Sequence, residues 1–117
     1  MKMIHSFKYA FQGMSTAFKT QLNFRIELLA AVLVIAAGLW LQISSTEWLV
    51  VVLNISIVLS LELINTAIES ACDLFSKDYN PAIKFIKDIA AAAVLIAAIA
   101  AAACGIIIFL PKIISLL

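Results

Sequence analysis

Glu62, Asn65, Glu69 and Asp73 fall within one short run, Glu-Leu-Ile-Asn-Thr-Ala-Ile-Glu-Ser-Ala-Cys-Asp. On an ideal helix, at about 100° per residue, the three carboxylates lie within about 40° of one another and Asn65 about 60° from Glu62. They form one polar stripe. Lys87 and Asp88 follow fourteen and fifteen residues after Asp73. Carboxylates beside lysines suit Mg²⁺-nucleotide binding, because the metal takes hard oxygen ligands and the phosphates take ammonium groups. No Walker A sequence is present, and Gly13, Gly38 and Gly105 are too scattered to cradle a phosphate. Any nucleotide site must therefore use side chains and metal. The plainer reading makes Glu69 and Asp73 solvated residues at a helix end and pairs Glu62 with a lysine. Glu62 resists it. Fourteen apolar or weakly polar residues precede it, so it should sit at or just inside the hydrocarbon boundary, where packing gives little reason for a carboxylate and function usually does.

The elements that must position this stripe are helices. From Lys2 to Thr20 the residues Ile4, Phe7, Phe11, Met14 and Phe18 recur at steps of three and four, with polar residues between them. This predicts an amphipathic helix over 1–24, suited to the membrane interface or to a partner helix. A first span is expected over 28–43, closed by the short polar turn Ser44-Ser45-Thr46-Glu47, so that the second helix, 48–73, returns antiparallel. Trp40 and Trp48 suit the interface. Asn80 and Pro81 end or redirect that helix. The third helix, 87–110, is rich in alanine, a surface that lets helices approach closely and belongs at the centre of a bundle.

Composition agrees. Of 117 residues, 65% are hydrophobic and 13% charged, against about 25% charged in an average soluble domain, and the mean hydropathy is +1.14. The expectation is an all-α, multi-pass membrane protein of one domain, 1–117, with no room for a separate soluble catalytic domain. A net charge of +1 gives no reason to expect nucleic acid as a partner. Cys72 and Cys104 lack metal-ligand spacing and read as buried thiols. The amphipathic N-terminus does not read as a cleavable signal peptide. Lys2, Lys8, Lys19, Arg25, Lys77, Lys84 and Lys87, seven of the eight basic residues, fall on one side of a three-span arrangement, and only Lys112 on the other. By the positive-inside rule the N-terminus and the 74–88 loop are cytoplasmic, and the carboxylate-rich end of the second helix faces the compartment that holds ATP.

The segment 62–73, followed by Lys87-Asp88 and an alanine-rich span, resembles the signature of the prokaryotic diacylglycerol kinase and undecaprenol kinase family. Phe7-Lys8-Tyr9-Ala10-Phe11-Gln12-Gly13 and Asn23-Phe24-Arg25-Ile26 extend the resemblance over nearly the whole chain. It implies a homotrimer in the bacterial inner (cytoplasmic) membrane, with sites shared between neighbours, that uses ATP and Mg²⁺ to phosphorylate a lipid alcohol. By the same resemblance Glu62 is the general base and Glu69 holds Mg²⁺, while Asn65, Asp73, Lys87 and Asp88 complete the nucleotide and phosphate environment. One position departs from the pattern. Where the family has a second Mg²⁺-binding glutamate, four residues before Arg25, this chain has Gln21, which offers one oxygen and no charge; Glu27 is the alternative donor. Undecaprenol is the expected substrate on the Asn-Phe-Arg-Ile stretch and the N-terminal segment, with diacylglycerol the alternative. Two other readings remain at this level: a non-enzymatic transport or proton-carrying subunit that titrates Glu62, and a weakly active family member that binds nucleotide or lipid.

Overall fold

The computed structural model describes all 117 residues as four helices without strands: α1 (Lys2–Thr20), α2 (Leu22–Leu41), α3 (Ser45–Phe75) and α4 (Pro81–Leu116). The last three are long and apolar enough to cross a membrane, with mean hydropathies of 2.1, 2.0 and 2.9 over their most apolar windows. Only 12 of 117 residues are buried. Most apolar side chains therefore face outward, where only lipid or other copies of the chain can cover them. The aromatic face of α1 is bare as well, with Phe7, Phe11 and Phe18 all more than half exposed.

The helix ends explain how the chain folds back on itself. Gln21 alone breaks α1 from α2, in an extended conformation, and Arg25 Nη1 donates to the carbonyls of Phe18 (2.8 Å) and Lys19 (3.2 Å). A guanidinium there satisfies carbonyls that the end of α1 leaves free and complements its dipole. So α2 begins at Leu22, well before residue 28, because Arg25 caps the preceding helix while helical itself. At the other end Gln42 takes the left-handed conformation, φ 53°, and stops α2. Ser44 then opens α3 with a capping box: Glu47 N–H donates to Ser44 Oγ (3.2 Å) and Ser44 N–H to Glu47 Oε1 (2.9 Å). The remaining oxygen of Glu47 accepts from Lys112 Nζ at 2.6 Å, tying the far end of α4 to this turn.

Asn80 caps α4, its Oδ1 accepting from Ala82 N–H at 2.9 Å, and Pro81 occupies the first helical position, where its missing N–H costs nothing. Lys84, Lys87 and Asp88 consequently ride on the first turns of α4 rather than in a loop. Pro111 lies inside α4 and removes one main-chain hydrogen bond near the far end. Cys72 is buried as expected; Cys104 is half-buried, and both are free. Trp40 is exposed, but Trp48 packs inward on Gly38, where an added Cβ would stand 2.9 Å from the indole Cη2. The glycine exists for that close approach. Gly38→Leu should destabilise the fold by about 1–3 kcal/mol, read as a lower thermal midpoint in detergent. Adding Trp48→Ala should recover part of the loss, and no recovery would show that the contact is not the cause.

Candidate functional site

The α2–α3–α4 hairpins bring the N-terminal ends of α2 and α4 to the C-terminal end of α3, and the chemistry-bearing residues collect there. Glu62 is 3% exposed and Asn65 7%, the two buried polar residues of the chain. Glu69 is half-buried and Asp73 exposed, so the α3 stripe runs from a dry end to a wet one. Asn65 Nδ2 donates to Glu69 Oε1 at 2.9 Å, fixing one carboxylate oxygen. Asn65 Oδ1 is buried with no partner, a state that costs about 1–3 kcal/mol unless a ligand relieves it.

Across from the stripe stands Glu27 of α2, its carboxyl near that of Glu62, with its own Oε2 buried and without a hydrogen-bond partner. Glu27 is the residue whose place sequence reasoning undervalued. Starting the first span at Leu28 left it outside the membrane, whereas from Leu22 it lies about 7 Å into the helix, and the argument applied to Glu62 applies equally to it. Lys87 Nζ binds Asp73 Oδ1 at 2.7 Å, joining α4 to α3. Asp88 instead pairs with Lys84 one turn away on its own helix, at 2.5 Å, and stays out of the cluster. Gln21 sits at the α1–α2 break, and its side chain makes one long hydrogen bond, to Thr20 Oγ1 at 3.4 Å; no bond joins it to Glu69. A polar recess of about 220 Å³ opens beside Lys87, lined by Lys77, Tyr79, Lys84 and Asp88 among others.

The donor set fits Mg²⁺ in kind, since Glu69, Asn65 Oδ1 and Glu27 Oε2 are hard oxygens and two of these atoms lack partners. No three acidic, histidine or cysteine side chains converge to hold a metal by themselves. That suits an ion which keeps its waters and takes one or two carboxylates together with substrate phosphates.

Three helices long and apolar enough to cross a membrane thus carry this carboxylate and lysine cluster at one end. A family model described as prokaryotic diacylglycerol kinase matches residues 8–109, and the chain belongs to that family. It is 44% identical to a diacylglycerol kinase of Synechocystis over 98% of its own length, spanning 66% of that protein. It is 38% identical to the undecaprenol kinase of Bacillus subtilis, over 95% of this chain and 90% of the relative, and 29% identical to the diacylglycerol kinase of Escherichia coli K12, over 86% and 82%.

The Lys87–Asp73 pair separates a structural from a functional lysine. Both side chains are more than a third exposed, so the pair should add little to stability. Lys87→Met should leave the thermal midpoint unchanged while raising the KM for ATP about tenfold. A lowered midpoint with unchanged KM would make Lys87 a strut.

Proposed function

We propose that the chain transfers the γ-phosphoryl group of ATP to the hydroxyl of a membrane lipid alcohol, undecaprenol first, at the cytoplasmic face of the bacterial inner membrane. The observation that carries the reading is Glu62, buried on a membrane-spanning helix among Glu27, Asn65 and Glu69 and at the basic end of the bundle. Glu62 accepts the proton of the lipid hydroxyl as its oxygen bonds to the γ-phosphorus. The bond from that phosphorus to the β,γ-bridging oxygen breaks, and ADP leaves with the electron pair. Burial against α2 keeps water, the competing nucleophile, away from the base. Asn65 holds Glu69, and Lys87, steadied by Asp73, offers its ammonium group to phosphate. Glu69, together with the nucleotide phosphates, would hold Mg²⁺, which would supply positive charge against the phosphates. Asp88 serves the nucleotide from outside the cluster, through the recess it lines beside Lys87. A homotrimer is part of the proposal, because the outward apolar faces need cover and the Gln21 side chain bonds only to Thr20 within its own chain.

Undecaprenol is favoured by the Bacillus relative, which this chain spans almost end to end; diacylglycerol is favoured by the higher identity to the Synechocystis protein. A proton-carrying subunit would want a lone carboxylate near the bilayer midplane. Four acidic side chains with an amide and a lysine at one end favour the kinase. The test is incubation of purified protein in mixed micelles with Mg-ATP and a panel of lipid alcohols. Phosphorylated undecaprenol is expected, and no transfer to any alcohol would refute the enzyme.

Two substitution pairs test the assigned roles. Glu62→Gln should lower turnover about 10²–10⁴-fold, the range for a lost general base, and leave Mg-ATP affinity intact by calorimetry, whereas Glu69→Gln should weaken that affinity. Equal loss of affinity in both would refute the division. Gln21→Glu should raise turnover about tenfold, equivalent to ~1.4 kcal/mol, and lower the Mg²⁺ concentration needed. An unchanged Mg²⁺ dependence removes Gln21 from the metal site, and a Mg²⁺ dependence altered by Glu27→Gln instead assigns that role to Glu27.

A further inference from the structure

The charges of the chain divide at Glu27. Residues 1–26 hold four cations, Lys2, Lys8, Lys19 and Arg25, and no acid, whereas residues 27–117 hold the other four cations and all seven acids. The three ion pairs of the structure use Lys84, Lys87 and Lys112, and Arg25 donates to main-chain carbonyls. The lysines of α1 therefore have no counter-charge in their own chain. All of α1 except Ala17 is exposed, so the helix lacks the packing of an amphipathic face that keeps most helices folded in water. Its sides are distinct. With Phe18 as the reference, Ile4, Phe7, Phe11 and Met14 fall within about 40° of it, Lys8 and Lys19 lie about 80° and 100° to one side, and Ala17 lies about 100° to the other. The Ala17 side meets the bundle, and the lysines occupy the flank turned away from it. A helix in the bilayer interface is built this way, with aromatic side chains at the acyl boundary and ammonium groups on a flank at headgroup level. Gln21 alone separates α1 from the span α2, which holds α1 at the edge of the bilayer. The molecule is 54 Å long, about the length of the 36-residue α4 by itself, so α1 adds to its width and not to its length.

We propose that α1 docks on the anionic headgroups of the cytoplasmic leaflet through Lys8, Lys19 and the aromatic stripe, and that turnover thereby senses the negative charge of the membrane; this rests on the kinase reading. An acidic protein or a nucleic acid would answer the lysines and leave the phenylalanines in water. A neutral bilayer would answer the phenylalanines alone. Arg25 carries the docking to the site, because its bonds to the carbonyls of Phe18 and Lys19 fix the end of α1 against the first turn of α2, two residues before Glu27. The reaction replaces a neutral hydroxyl with a phosphate, so each product molecule adds the charge that α1 binds. The kinase accelerates on its own product.

The experiment uses the full chain reconstituted in vesicles of phosphatidylcholine, alone or with about 30% phosphatidylglycerol to make the surface anionic. Hydrogen exchange read by mass spectrometry should be slower over residues 2–20 in the anionic vesicles by on the order of twentyfold, since each of two lysines near such a surface contributes about fivefold. Salt at about 1 M, which shortens the Debye length to about 3 Å, should erase the difference. Lys8→Gln combined with Lys19→Gln should erase it too, whereas Lys8→Arg combined with Lys19→Arg should keep it. In phosphatidylcholine vesicles with lipid alcohol and Mg-ATP, the parent should show a lag and then an accelerating rate, and phosphatidylglycerol should remove the lag; the glutamine variant should hold its initial rate throughout. Exchange equally slow in both vesicles, or cross-linking of α1 to a second copy irrespective of lipid charge, overturns anionic docking and leaves the kinase standing. A constant parent rate overturns the sensing of product. Slowed exchange without phosphorylation of any alcohol removes the kinase and leaves α1 a charge-selective anchor.

Discussion

A carboxylate below the surface of a bilayer is the constraint on which this structure turns. Translocon-insertion scales put a charged residue at the centre of a spanning helix at about 2.5–3.5 kcal/mol, and Glu62, 3% exposed, is turned into the bundle with the half-buried Glu27 of another helix near it. The surrounding architecture serves that placement. Arg25 closes α1 and lets α2 start early enough to carry Glu27. Ser44 and Glu47 turn α3 back, and the length of α3 lets one helix run from the far membrane surface, past Glu62, to the exposed Asp73 and its bond with Lys87.

The far end is built for rigidity and the near end for chemistry. At the turn between α2 and α3, Trp48 seats on Gly38, the capping box is complete and Lys112 grips Glu47, so Ser44, Glu47 and Lys112 all have partners. At the other end, two buried oxygens, on Glu27 and Asn65, have none. Natural folds leave such atoms bare where a ligand is to satisfy them. The contrast between a satisfied end and an unsatisfied one is the structural reason to take the Glu27 and Asn65 end as the candidate site, and the match over residues 8–109 places the chain among the prokaryotic diacylglycerol kinases.

Much of this was legible in the sequence because its signals are periodic or categorical. Three apolar runs, an aromatic stripe on α1 and carboxylates at seven- and eleven-residue offsets need no tertiary knowledge. What escaped depends on contacts distant in sequence. That α2 starts at Leu22 follows from Arg25 capping a helix it does not belong to, so Glu27 read as flanking rather than intramembrane. That Lys87 reaches Asp73 while Asp88 turns to Lys84 depends on α4 beginning at Pro81, which fixes the direction in which each side chain leaves the helix. Gly38 carries no sign in the sequence that an indole will lie against it.

The claim that Glu62 removes a proton from the lipid hydroxyl is tested most directly by changing the acidity of that hydroxyl instead of the protein. A lipid alcohol fluorinated beside its hydroxyl gives up its proton more readily and needs a base less. Rates of phosphoryl transfer to the fluorinated and unfluorinated alcohols, measured for the parent and for Glu62→Gln, should show the cost of the substitution shrinking at least about tenfold with the more acidic alcohol. An equal cost with both alcohols would contradict the assignment and leave Glu62 a residue that shapes the site without taking the proton.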